Sequence, residues 1–313
     1  MAEVKMKATR EAYGEALVEL GEKNENIIVL DADLSKSTKT DSFKKKFPSR
    51  HINMGIAEAN MMSTAAGIAS CGKTVFASTF AVFAAGRAFE QIRNSICYTK
   101  LNVKIGATHA GISVGEDGGS HQAIEDIAIM RALPNMVIIS PCDAEESKKA
   151  VEAAAKYDGP VYLRFGRLAV PAVYGEGECN FEIGKGIKIK DGGDVTIIAT
   201  GLMVSKCLDA ANELEKQGIS ARVIDIHTIK PIDKDIIIKA ARETGKIVTV
   251  EEHSIIGGLG GAVAEVLAEN APTAMMRIGI EDKFGKSGTP AALLEEYGLT
   301  AENVVRKVAE FVK

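Results

Sequence analysis

Alternation constrains this chain more than anything else in it. Short runs rich in Val, Ile and Thr recur between longer stretches whose apolar residues follow helical spacing. Strand, helix and strand in succession build a parallel sheet covered by helices, because parallel neighbours need a crossover connection. The pattern predicts strands over 27–30, 74–77, 103–108, 136–139 and 161–164, with helices over 8–23, 57–70, 80–98, 123–131 and 143–157. A second series has strands over 195–200, 221–225, 246–251 and 273–278 and helices over 203–216, 234–243 and 261–269. The glycine-rich stretch between the two series reads as a connection with room for one short strand. The expected class is α/β: two domains with mainly parallel sheets flanked by helices, over 1–170 and 191–313, joined by a linker over 171–190.

Composition narrows the function classes. The 313 residues suit two domains. Lys and Arg number 38 against 42 Asp and Glu, and no basic block stands out. That balance disfavours nucleic acid as a partner and favours small molecules or proteins. No apolar run reaches the roughly 18 residues of a membrane span, and the first residues spread their charges where a signal peptide has an apolar core. The expected location is cytoplasmic. Cys71, Cys97, Cys142, Cys179 and Cys207 are widely spaced and form no C-x-x-C pair, which disfavours a disulfide framework or a metal cluster. They read as small buried apolar groups.

Four segments carry candidate chemistry. In INMGIAEANM, Glu58 opens a helix among small and apolar residues, a setting that would desolvate its carboxylate and make it a proton donor near neutrality. THAGISVGEDGGSHQ follows a strand and gathers His109, Glu116, Asp117 and His121 among four glycines. Ligands bind at the carboxyl ends of strands in open α/β sheets, and imidazoles and carboxylates there exchange protons with a sugar or oxo acid. No short ligand spacing supports a metal in this loop. Arg164 and Arg167 end another strand, either as solvated charges or as donors to a phosphate or carboxylate. The glycines of EEHSIIGGLGGAVAEVL miss the dinucleotide fingerprint, since Val263 stands where the third glycine belongs. They read as strand-to-helix packing. The Ala- and Gly-rich segments NMMSTAAGIASCG and AVFAAGRAFEQIRNSI suit close helix packing, inside a domain or across a subunit boundary.

Taken together, INMGIAEANMMSTAAGIASCGKTVFASTF, THAGISVGEDGGSHQAIEDIAIMRALPNM, GPVYLRFGR and EEHSIIGGLGGAVAE resemble the transketolase family, in order and spacing, over essentially the whole chain. The resemblance implies a pyrimidine-binding domain followed by a transketolase C-terminal domain, thiamine diphosphate with Mg²⁺ as cofactors, and transfer of a two-carbon ketol unit between sugar phosphates in pentose phosphate metabolism. Glu58 matches the glutamate that hydrogen-bonds the aminopyrimidine and activates the cofactor. Phe80 and Phe83 match aromatics that pack on the pyrimidine, and Asp33 and Leu34 match residues lining the cofactor site. His109, Asp117 and His121 match sugar contacts, with His121 also placed for proton transfer. Ser37 and Arg167 match phosphate contacts. Gly86 stands where many relatives carry a tyrosine, so one wall of the pocket departs from the pattern.

The family holds Mg²⁺ and the diphosphate with a G-D-G segment and a later asparagine. No G-D-G occurs here, and single-chain transketolases are about twice this long. The resemblance therefore implies a split enzyme, in which a second chain brings the diphosphate-binding domain and the assembly is a heterotetramer of two plus two. The alternatives are the β subunit of a 2-oxo-acid dehydrogenase, a deoxyxylulose-phosphate synthase-like enzyme, and a catalytically silent regulatory or dimerisation subunit. The sugar-handling set His109, Asp117 and His121 disfavours the first, and the GEDGGSHQ loop resembles the transketolase version more than that of either of the first two. An acid kept in an apolar setting at Glu58 disfavours the third.

Overall fold

A computed structural model describes residues 6–313. Its strands, in chain order, are β1 (Met6–Ala8), β2 (Ile27–Asp31), β3 (His51–Asn53), β4 (Thr74–Phe80), β5 (Val103–Thr108), β6 (Val137–Ile139), β7 (Val161–Arg164), β8 (Ala169–Pro171), β9 (Ile187–Lys190), β10 (Val195–Ala199), β11 (Ala221–Asp225), β12 (Thr228–Lys230), β13 (Lys246–Ser254) and β14 (Ala274–Ile280). They form two α/β domains. One sheet runs β12-β6-β7-β5-β4-β2-β3, the other β14-β13-β10-β11-β9. Every pairing in them is parallel except β12 with β6 and β9 with β11. A short antiparallel ladder joins β1 to β8. No described helix is long and apolar enough to cross a membrane.

The central strands read as continuous apolar runs because helices cover both faces. All seven residues of β4 and all six of β5 are buried. Helix Thr9–Lys23 lies against this sheet, where the Tyr13 hydroxyl shares a 2.6 Å hydrogen bond with Ser78. Gly106 on β5 makes room for that ring, since a Cβ there would lie 2.2 Å from the Tyr13 oxygen.

Most predicted elements form within a residue or two. The predicted helix over 80–98 does not: β4 runs on to Phe80, helices Ala81–Arg87 and Phe89–Gln91 follow, and Ile92–Cys97 is a π-turn. Strand β4 extends because Ser78, Thr79 and Phe80 register against Gly106, Ala107 and Thr108 of β5. The π-turn points Ile92, Ile96 and Cys97 into the core. Helices Pro290–Glu296 and Ala301–Val312 lie beyond the last predicted element, their first turns capped by Thr289 and Thr300. Four cysteines are buried and Cys71 is exposed.

The two domains share polar contacts. Arg164 lies at the seam and not in solvent or at a phosphate position: it donates to Asp126 at 2.9 Å and to the Glu252 carbonyl at 3.1 Å. The Glu252 carboxylate accepts from the Ser113 N–H at 2.6 Å. Gly111, at φ +80°, passes so close that a Cβ would meet that carboxylate at 2.3 Å. The glycines 258 and 260 pack as expected, with the Glu251 carboxylate accepting from the N–H of Leu259 and of Gly260 at 2.6 and 2.8 Å.

Candidate active site at the carboxyl edge of the first sheet

Chain direction places the site. From β2 the chain leaves for β3 on one side, and from β4 it leaves for β5 on the other. Loops diverging from neighbouring parallel strands open a crevice at their carboxyl ends, where open α/β sheets bind ligands. Asp33, Leu34 and Ser37 follow β2, Glu58 follows β3, Phe80 and Phe83 end β4 or follow it, His109, Asp117 and His121 follow β5, and Arg167 follows β7. All ten predicted site residues thus fall at one edge of one sheet.

An aromatic cluster forms its centre. Phe80 stacks on His109 with ring centroids 3.8 Å apart and on Phe83 at 5.7 Å. His121 meets Phe83 edge-on at 5.4 Å, and its Nδ1 shares a 3.0 Å hydrogen bond with Ser120. Asp33 after β2 and His109 in this cluster hold left-handed backbone, at φ +63° and +57°. Such strain persists where the surroundings over-determine it and concentrates at functional sites. Here Asn53 fixes the first turn, its amide oxygen accepting from the Asp33 N–H at 3.0 Å and its Nδ2 donating to the Asp33 carboxylate at 3.1 Å.

Glu58 is 4 % exposed at the first position of helix Glu58–Ser70. Its surround is not purely apolar, as the sequence implied: Arg87 donates to Oε1 at 3.1 Å while its guanidinium lies 4.0 Å over the Phe83 ring. Gly86, next to it, is open, and a Cβ there would meet nothing within 4 Å. Asp117 is exposed on the loop. Arg167 is half-buried, donating to the Val114 carbonyl and at 3.2 Å to Glu116.

Three residues that sequence reasoning passed over belong here. Arg10 donates to the Ser37 carbonyl at 2.7 Å, while its Nε is buried with no partner. Asp31, buried at the end of β2, takes the hydroxyls of Thr38 and Thr40 at 2.6 and 3.0 Å and the Leu34 N–H, and so shapes the Asp33–Ser37 segment. Burial raises its carboxyl above the usual range. Arg87 is the third. Arg10 and Arg87 sit among ordinary helix charges, and their role shows only once strands are paired.

Burial pushes the His109 imidazole down to about 3, helped by the positive charges of Arg10, Arg167, His121 and Lys39. The ring is neutral at physiological pH, with Nδ1 bonded to the Thr108 hydroxyl at 2.9 Å. An unfolded histidine takes a proton near pH 6.5. Between that value and about 3, the unfolded chain binds a proton that folded His109 refuses, so stability falls as pH falls through this window. Urea unfolding at a series of pH values should show a shallower slope for His109→Asn. A slope unchanged from the native chain would contradict the assignment.

Comparison with known proteins agrees with this architecture. The family model for the transketolase pyrimidine-binding domain matches residues 5–172, and that for the transketolase C-terminal domain matches 184–304. A Methanocaldococcus jannaschii protein provisionally named a transketolase C-terminal section is 55% identical over 309 residues, covering 98% of this chain and 97% of its own length. A 6-deoxy-6-sulfo-D-fructose transketolase subunit of a Clostridium species is 42% identical over 302 residues, covering 96% and 93%. A solved structure described as a split gene transketolase, inactive beta4 tetramer, superposes with a TM-score of 0.91 at 59% identity over 97% of each chain. By both domain models and by relatives aligned end to end, the chain belongs to the transketolase family and has the make-up of its C-terminal section.

Proposed function

We propose that this chain is the pyrimidine-binding subunit of a two-chain, cytoplasmic transketolase that moves a two-carbon ketol unit from a ketose phosphate to an aldose phosphate. The observation that carries the reading is the convergence of a buried acid, stacked aromatics, two imidazoles and several cations on one sheet edge. The ring half of thiamine diphosphate fits it: Phe80 and Phe83 offer aromatic faces, Gly86 leaves the approach open, and Glu58 offers a carboxylate. Bound there, the cofactor supplies the carbon nucleophile that breaks and makes the C–C bond.

The chain's own residues bind and orient. Glu58 accepts a hydrogen bond from the pyrimidine and holds a proton exchange in place, with Arg87 steadying the acid until the ring arrives. Asp33 and Leu34 line the cofactor, the latter tied down by Asp31. His109 is held neutral, and its Thr108 bond leaves Nε2 for a sugar oxygen. His121 exchanges protons at the substrate, and Asp117 receives the hydroxyl beside the carbonyl. Arg167, Ser37 and, added by the geometry, Arg10 receive the phosphate, since a guanidinium presents paired donors to its oxygens.

Mg²⁺ and the diphosphate fall to a second chain, because this one lacks the G-D-G segment. The partner is an N-terminal, diphosphate-binding subunit, in a two plus two assembly. The solved relative's description as an inactive tetramer of β chains supports a subunit that associates with itself but does not turn over alone. The Clostridium relative's name favours testing sulfonated as well as phosphorylated ketoses. Pentose phosphate interconversion is the leading role.

Co-purified with its partner, the chain should show thiamine diphosphate-dependent turnover of xylulose 5-phosphate with ribose 5-phosphate. Arg10→Ala should raise KM for the phosphorylated sugar by roughly tenfold or more, the worth of a charge-assisted hydrogen bond. A pair that ignores sugars and consumes pyruvate would move the chain to the 2-oxo-acid dehydrogenases.

A further inference from the structure

Away from the sheet edge, a buried polar cluster joins both domains and the segment between them. Cys142 and Glu146 come from the turn and first residues of helix Ala144–Lys156, Asp225 ends β11 in the other domain, and Tyr174 lies between. A sulfur of Cys142, an oxygen of Glu146 and an oxygen of Asp225 lie within 4.8 Å of one another. All three residues are at most 1 % exposed.

Each carboxylate is half used. Glu146 Oε2 accepts from the Cys142 N–H at 2.7 Å, and Asp225 Oδ2 accepts from the Tyr174 hydroxyl at 2.9 Å. The other oxygens, Glu146 Oε1 and Asp225 Oδ1, are buried and have no partner. Buried oxygens of this kind are costly to leave bare unless a proton or a cation meets them. The neighbouring Asp143 adds to the negative field, although its own oxygens accept the N–H groups of Glu146, Val173 and Tyr174. Burial, reinforced by the neighbouring carboxylates, drives the Glu146 and Cys142 groups well above their ordinary values; burial also lifts Asp225 to about 6, although polar contacts with Glu146, Tyr174 and Cys142 oppose the rise.

We propose that Cys142 Sγ, Glu146 Oε1 and Asp225 Oδ1 form a binding site for a divalent transition-metal ion of the zinc class that clamps the two domains together. A thiolate with two carboxylates is a zinc-type donor set, and ligand atoms sit about 2.0–2.3 Å from that ion. The three ligand atoms, mutually within 4.8 Å, draw inward to surround one ion. The backbone N–H of Cys142 and the Tyr174 phenol act as outer partners that aim the carboxylates. Binding forms three metal–ligand bonds and releases the thiol proton, and any proton held between the carboxyls, to solvent. A surface cavity of about 330 Å³ lies nearby, with Ala144, Glu145 and Tyr174 among its lining residues and Lys7 and Lys148 at its wall. The site is independent of the proposed catalysis.

The test uses the full chain, stripped with a chelator and dialysed against Zn²⁺ alone, with Cd²⁺ as a probe for thiolate coordination. One equivalent of zinc per chain, a raised Tm and a cadmium–thiolate absorption band are expected. Cys142→Ser should abolish the band, and both Cys142→Ser and Glu146→Gln should weaken zinc at least tenfold. Circular dichroism checks that each variant folds, and the nearly isosteric Cys142→Ser carries the test if Glu146→Gln does not. Substoichiometric zinc would overturn the proposal, as would native-like binding by Cys142→Ser. So would a Glu146→Gln chain that is more stable than the native one and indifferent to zinc, which would mark the pair as two carboxyls sharing a proton.

Discussion

Glu58→Ala in the assembled enzyme should lower kcat on the order of a hundredfold or more, with subunit association unchanged. The magnitude is that of removing a positioned acid or base from a reacting centre. The direction follows from placement: Glu58 is buried and bonded to Arg87, whose guanidinium lies over the Phe83 ring proposed to meet the cofactor. Its partner sharpens the readout. Arg87 lies over Phe83 as well as on Glu58, so it must yield when a ring stacks there. Arg87→Ala should therefore cost far less than Glu58→Ala. Steady-state rates with saturating cofactor, set beside mass measurement of the complex, decide the point. Full activity in Glu58→Ala would leave the chain a scaffold.

Asp126→Ala should be the most damaging single change to the fold. Asp126 and Arg164 are both buried; the guanidinium meets the carboxylate at 2.9 and 3.2 Å, and the Tyr162 hydroxyl adds a third bond at 2.8 Å. Removing one partner of a buried pair strands the other charge without water, a loss of about 3–5 kcal/mol. Arg164 also donates to the carbonyls of Ala123 and Glu252, so the stranded charge sits at the domain seam. Arg164 holds the Asp126 carboxyl below its usual range despite burial. That contribution is complete above the unfolded carboxyl's pKa and is lost as pH falls through the lower folded value. Chemical denaturation should show a smaller unfolding free energy for Asp126→Ala at neutral pH. A change under 1 kcal/mol would mean that the seam relaxes around the free arginine, against the cost typical of a broken buried pair.

Legibility in the sequence followed the range of the forces involved. The alternation of strands and helices is local, so β5, β7 and β11 fall where periodicity placed them. The candidate site residues came mainly from the motifs of the family resemblance, and strand pairing then brings the segments that carry them to one sheet edge. Contacts set by distant residues were not readable. Nothing near Arg164 announces Asp126, 38 residues away, and nothing near Cys142 announces Asp225. Nor does local spacing show that Arg10 reaches the Ser37 carbonyl, because that contact depends on how helix Thr9–Lys23 packs. The cap threonines at 289 and 300 were local signals that periodicity alone passed over.

Strand β12 has a further meaning. It is made by residues 228–230, yet it pairs with β6 of the first sheet. The gene segment matched by the pyrimidine-binding model ends at residue 172, before this strand is encoded. A polypeptide stopped there would leave the outer backbone groups of β6 bare, an open edge of the kind that recruits other chains. The two halves are therefore not interchangeable cassettes. A recombination event that swapped the second half for another would also have to bring a replacement for three residues that seal the first.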